Sequence, residues 1–226
     1  MFFSSTVSFL SAAVLIPVGL YAINRASDWD KRYMALAGLP LVFGIQQALE
    51  GQIWLELALG PLLEPTTAVY GYLFFSHLFW LFWIPHAVYQ LETDFARREE
   101  FLLLSLLGLL FGLSLYMPMF LRDDWLQVMV VEGNIVYQTQ LLYDAYFSQL
   151  WVYAIYCAIV LLPLLGASDQ EVKRFGYMVT GAALFVLLAY NYALISLWGF
   201  LVALLSLYVA RIVYGEAAEQ EALPSR

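Results

Sequence analysis

The chain has 226 residues, 63% of them hydrophobic and only 12% charged, with a net charge of −8 and a mean hydropathy of +0.76. A soluble domain of this length covers its surface with more charge, so a water-soluble globule is excluded. Ten Lys and Arg in the whole chain leave no phosphate-binding stripe, which excludes a nucleic-acid-binding module.

The apolar residues fall into runs of about twenty, the length that crosses ~30 Å of hydrocarbon. Seven runs fit, at 4–23, 33–59, 67–91, 101–120, 149–165, 175–191 and 193–214. The first has no basic residue ahead of it and no clean small-x-small end, so it reads as a retained helix rather than a secretion signal. Charged turns at 24–32, 93–100 and 167–174, with Gly60-Pro61 and Glu64-Pro65, punctuate the others. The stretch 175–214 is nearly continuous. Forty helical residues would be about twice the bilayer thickness, so a turn is expected near Tyr190–Tyr192, whose aromatic residues suit the interface.

One connection is long. Within it, residues 125–132 and 135–140 are rich in strand formers and flank Gly133-Asn134, a hairpin signature. The fold expected is all-α: a single seven-transmembrane-helix domain over 1–215, with a β-hairpin at about 122–147 in the outer loop between helices 4 and 5. An acidic, disordered tail is expected at 216–226. Arg25, Lys31, Arg32, Arg97, Arg98, Lys173, Arg174, Arg211 and Arg226 fall on one side of this arrangement, and only Arg122 on the other. The positive-inside rule then puts the N-terminus outside and the C-terminus in the cytoplasm.

Several seven-helix chemistries lack their residues. Retinal attachment needs a lysine inside the bundle, and Lys31 and Lys173 sit at expected cytoplasmic helix ends. The lone Cys157 excludes an intramolecular disulfide and reads as a small buried residue. An intramembrane metal-dependent hydrolase needs three ligands at one depth. His86 lies nine residues, or ~13 Å, along the helix from His77, and only Glu50 offers a third. Ser76 adjoins His77, but neighbouring helical residues face different directions. No catalytic set, metal set or cofactor is therefore assigned. The aromatic content, 17%, fits a pocket for a lipid, quinone or pigment, and equally fits interface belts and packing. Gly108 and Gly112 form a small-xxx-small pair, suited to close packing within the bundle or to a homodimer or partner chain.

The polar residues inside the runs carry the functional reading. Gln46, Gln47, Glu50 and Trp54 share one face of the second helix, and Tyr70, Phe74, His77 and Trp80 one face of the third. Glu50 lies about nine residues, or ~14 Å, below the outer end of its helix, and His77 about ten residues, or ~15 Å, below the start of its own. Short connections make consecutive helices antiparallel neighbours, and an ionisable group in hydrocarbon needs an interior partner. Glu50 and His77 are thus expected to face each other across a polar cavity, with Gln46 and Gln47 as its floor and Trp54 and Tyr70 as its mouth. Such a site suits a small hydrophobic or cationic ligand, or a proton, in a receptor or transporter. The alternatives are an accessory membrane protein whose polar residues serve packing alone, and an intramembrane metal-dependent hydrolase.

The segments MFFS at 1–4, LPLVFGIQQALEG at 39–51 with Trp54, WLFWIP at 80–85, EGNIVY at 132–137 and YNYALISLWGF at 190–200 together resemble an uncharacterised family of small bacterial membrane proteins, a domain of unknown function. That family usually begins Met-Cys-Phe-Ser, whereas Phe2 stands here. The resemblance implies seven helices and a multi-pass protein of the bacterial inner membrane, and no chemistry.

Overall fold

The computed structural model describes residues 4–62, 64–122, 125–141 and 148–222. Among them the chain is a bundle of helices with one two-stranded sheet. Helix α1 spans Ser5–Trp29, where the Ser4 side chain caps the Val7 amide at 3.4 Å. It runs six residues past its expected end, because Ala22 and Ala26 keep an inward stripe going until Asp30 caps a 3-10 turn, Lys31–Tyr33. A short helix, Met34–Ala37, leads into α2, Leu39–Leu59, which ends at Gly60. Helix α3, Thr67–Leu91, contains a π-helical turn at Phe75–Phe79.

Helix α4, Phe95–Tyr116, starts earlier than its apolar run because Asp94 caps it. For the same reason α6, Gln170–Ala189, starts at the Asp169 cap. Helix α5 spans Gln149–Gly166. After a 3-10 turn at Asn191–Ala193 comes α7, Leu194–Leu205, continued beyond Ser206 by Leu207–Ala222. The expected disordered tail is thus helical through Ala222, in keeping with its Ala, Glu and Gln, which are strong helix formers. The last four expected tail residues lie outside the described ones.

Among the described residues, five helices are long and apolar enough to cross a membrane: Ser5–Trp29, Thr67–Leu91, Phe95–Phe120, Gln170–Ala189 and Leu194–Gly215. Helix α5 is apolar but shorter, and α2 is diluted by Gln46, Gln47, Glu50, Gln52 and Glu56. Large apolar side chains such as Leu20, Leu103, Leu110, Phe185 and Leu188 stand exposed on the outer faces of these helices. Such a surface is at home in lipid rather than water. The chain has the build of a membrane protein.

Strands β1, Leu126–Val131, and β2, Asn134–Thr139, pair antiparallel with Val131 opposite Asn134. The turn is Glu132-Gly133, one residue earlier than the Gly133-Asn134 expected from sequence, with φ of 50° and 78°. A two-residue hairpin turn with positive φ at both positions matches strand twist. A one-residue slip exchanges the faces of a strand, and this register buries Ile135 and Tyr137 against the helix ends.

Glycines set how closely the helices approach. A Cβ at Gly19 would lie 2.2 Å from the Leu41 amide nitrogen, one at Gly44 2.8 Å from Ile16 Cγ1, and one at Gly51 2.9 Å from the Phe9 ring. These contacts run antiparallel along α1 and α2. Gly108 and Gly112 do the same for α4 against α3: their Cβ atoms would meet the Leu81 carbonyl oxygen at 2.0 Å and Leu78 Cα at 2.8 Å. That face is filled within the chain. Without a hydrophobic drive in lipid, such backbone contact is the main source of helix association.

The loops opposite the hairpin are tied together by Glu92. Its carboxylate accepts from the amides of Thr93, Asp94 and Ser168 at 2.8, 2.9 and 2.9 Å and from the Ser168 hydroxyl at 2.6 Å. Burial pulls this carboxyl upward. The Ser168 hydroxyl and the amides of Asp94, Ser168 and Thr93 outweigh it and hold the carboxyl below its ordinary range. Nearby, the Tyr33 hydroxyl donates to Asp169 at 2.7 Å.

Two outcomes follow from these contacts. Gly108→Ala should lower stability in detergent by about 1–3 kcal/mol, since even one methyl overpacks the α3–α4 contact. Gly181→Ala, with nothing within 4 Å of its Cβ, should be neutral or slightly stabilising. Glu92 contributes stability that is fully present above the ordinary carboxyl range and lost as pH falls through its depressed value. Thermal melts of wild type and Glu92→Gln should therefore converge at acid pH and separate near neutrality; a gap independent of pH would contradict this clasp.

Candidate functional site

The polar face of α2 is fully inside the bundle: Gln46, Gln47 and Glu50 are each 1% exposed. Glu50 accepts hydrogen bonds from the Ser196 hydroxyl of α7 and from Gln47 Nε2 at 3.1 Å. Gln46 Oε1 accepts from Trp80 Nε1 of α3 at 2.8 Å, and the Trp80 ring stacks on Phe43 with centroids 3.9 Å apart. Adjacent polar residues on one helix thus clamp two different neighbours. The Tyr72 hydroxyl lies in the same layer, donating to the Ile195 carbonyl at 3.3 Å.

His77 is 8% exposed and sits in the π-helical turn of α3. Its Nδ1 lies 3.0 Å from Ser76 Oγ, and the hydroxyl of Tyr156 on α5 donates to the Ser76 carbonyl at 2.8 Å. A π-turn displaces carbonyls from their usual partners, and single π-turns recur at functional sites. Here the displaced backbone anchors α5.

Between these elements lies a cavity of about 330 Å³, lined by α2 to α7 and covered by β2. Gln46, Ser76, His77, Tyr156 and Trp198 bring polar atoms to it, and Tyr137 through Thr139 form its roof. Tyr137 enters the bundle and stacks on Tyr72, with centroids 5.1 Å apart. Beside the roof, the Tyr192 hydroxyl donates to Glu132 at 3.0 Å and accepts from Asn134 Nδ2 at 3.3 Å, latching the hairpin turn to the α6–α7 connection.

The structure places the residues singled out from sequence in three groups. Gln46 and His77 line the cavity. Glu50 and Gln47 lie behind its wall, and Glu50 takes Ser196 as its partner while His77 takes Ser76, so the two are not hydrogen-bonded to each other. Trp54 and Tyr70 pack elsewhere. Trp54 is buried beside Ile53 and Val69, and Tyr70 stacks on Phe120 at 4.7 Å with its carbonyl accepting from the Tyr116 hydroxyl at 3.0 Å. On the hairpin side the cavity is lined by Val136–Thr139 and Tyr192. Ser196, Tyr156, Tyr137 and Trp198 were not singled out. Ser196, a hydroxyl within the strongly apolar α7, was the available signal.

His86 sits nearer the opposite end of α3, its Nε2 2.8 Å from Gln90 Nε2. Among the described residues no three His, Cys, Asp or Glu side chains gather to hold a metal ion. The donor set of a metal hydrolase is not assembled there.

Ser196→Ala would leave a buried carboxylate oxygen of Glu50 short of a donor. It should lower stability by about 1–3 kcal/mol. Ser206→Ala, whose hydroxyl bonds to the Ala203 carbonyl three residues earlier and not to another helix, should lower the same stability by clearly less. Equal effects would remove the α2–α7 link from this account.

No curated protein and no solved structure matches the chain. The profile of the family of unknown function DUF6629 matches residues 1–223. By that near-complete match, the chain belongs to this family.

Proposed function

We propose that this is a multi-pass protein of a bacterial inner membrane that holds a small ligand inside a seven-helix bundle and serves as its receptor or transport pathway. The observation that carries the reading is the cavity of about 330 Å³ beneath the hairpin, within the ~300–1,000 Å³ range of ligand pockets. His77 and Gln46 meet the ligand from neighbouring helices. Glu50 and Gln47 hold α2 against α7 behind them and so fix the wall. The hairpin, joined to the bundle by Tyr137 and by the Tyr192 latch, is the lid. A second reading, an accessory protein with polar residues used only for packing, draws on one observation: Glu50 finds its partners entirely within the chain.

The distribution of basic residues supports an outer hairpin and a cytoplasmic C-terminus. In a Cys157→Ala background, a thiol introduced by Gln127→Cys should react with an impermeant maleimide on whole cells, and one from Arg98→Cys should not. The reverse pattern would invert the orientation.

Native mass spectrometry of the protein released from native-membrane nanodiscs separates the two functional readings. A near-stoichiometric small-molecule adduct, reduced by His77→Leu in a protein that still folds, supports the ligand site. A stoichiometric partner chain and no adduct would favour the accessory role.

A further inference from the structure

The cavity is long and chemically divided. Along α5 its lining runs from Val152 to Leu164, twelve residues apart, or ~18 Å at 1.5 Å per residue. The length slightly exceeds the ~15 Å that one leaflet gives an acyl chain.

The polar side chains of the lining lie between the hairpin and the level of Gln46 and Trp80. The far part is walled by Ile84, Val160, Leu164, Phe175, Val179 and Val202, all apolar. No Lys, Arg, Asp or Glu is among the described lining residues, so a charged head would enter without a counter-charge, at a cost of several kcal/mol. Neutral groups, by contrast, wait there. Tyr137 and Trp198 line the cavity, and the Tyr137 hydroxyl and Trp198 Nε1, sealed just beneath that lining, have no hydrogen-bond partner, so a small turn of either ring presents a donor. Ser76 Oγ lies 3.3 and 3.4 Å from the carbonyls of Tyr72 and Leu73. Assigning its proton there lets its lone pair take His77 Nδ1–H, which leaves Nε2 of His77 as an acceptor. Two donors and one acceptor therefore surround the head position.

We infer that the ligand is a neutral amphiphile, with its hydrocarbon part lying along α5 and a hydroxyl- or carbonyl-bearing head held by Trp198, Tyr137 and His77. This rests on the ligand-site reading above and narrows it to a chemical class. A free fatty-acid anion and a phospholipid, with its charged phosphate, both fall outside the class. The hairpin closes over the head, and the tail points away from it.

The test uses the full chain in dioleoylphosphatidylcholine vesicles. Three photoreactive probes, each with a diazirine near the tail end, are compared: a 1-monoacylglycerol, the matching fatty acid and the matching phosphatidylcholine. The monoacylglycerol should mark peptides containing Val160, Leu164 and Val202 well above lipid-facing peptides containing Leu103 and Leu110. Trp198→Phe should weaken its saturable labelling by about fivefold, the loss of one hydrogen bond, while leaving bulk-lipid labelling unchanged. Preferential cavity labelling by the fatty acid or the phosphatidylcholine would overturn the neutral class and leave the ligand site standing. Labelling of lipid-facing peptides alone, by all three probes, would overturn both. The wild-type pattern decides this even if a variant fails to fold.

Discussion

A polar group inside hydrocarbon must find its partner within the protein, and that constraint organises this bundle. Glu50 is its sharpest instance. A carboxyl 1% exposed in the middle of α2 is met by the Ser196 hydroxyl of α7 and by its own neighbour Gln47. Gln46, one residue before Gln47, is met by Trp80 of α3. One polar turn of α2 therefore fixes the positions of two other helices, and the space beyond α3 and α7 is what the cavity occupies. The glutamine pair and the glutamate are needed where an apolar sequence would have packed equally well against any neighbour.

The rest of the architecture ties the bundle at both ends and along its length. At the end away from the hairpin, Glu92 ties two loops with four hydrogen bonds, and Tyr33 reaches the Asp169 cap. Along the helices, Gly19, Gly44, Gly51, Gly108 and Gly112 allow backbone contact. At the hairpin end, Leu126, Ile135 and Tyr137 are buried against the helices, and the Tyr192 hydroxyl adds a polar latch to the turn.

Much of the helical plan was legible because hydropathy runs and charged turns are long-range signals that a single sequence carries. The turn at Tyr190 and the hairpin were visible for the same reason. Helix starts were not, since Asp94 and Asp169 cap turns that composition reads as loop. The hairpin register was off by one because Glu132 adopts a positive φ that its type does not advertise. In the site, helical spacing put Gln46, Gln47 and Glu50 on one inward face. It could not say which neighbour each would meet, because that depends on how α7 returns to the bundle. Depth alone suggested His77 for Glu50; packing supplied Ser196. Tyr137 was hidden inside a strand, and the π-turn at His77 has no signature in composition.

The central claim is that the cleft along α5 is an occupied ligand chamber and not a packing defect. An experimental density map of the full chain in lipid nanodiscs, at a resolution that shows side chains, tests it most directly. The account predicts one elongated density from the His77 and Trp198 level toward Phe175, with its head beneath Tyr137. A cleft collapsed by inward rotation of Tyr156 and Trp198, with no density between α5 and α7, would contradict it.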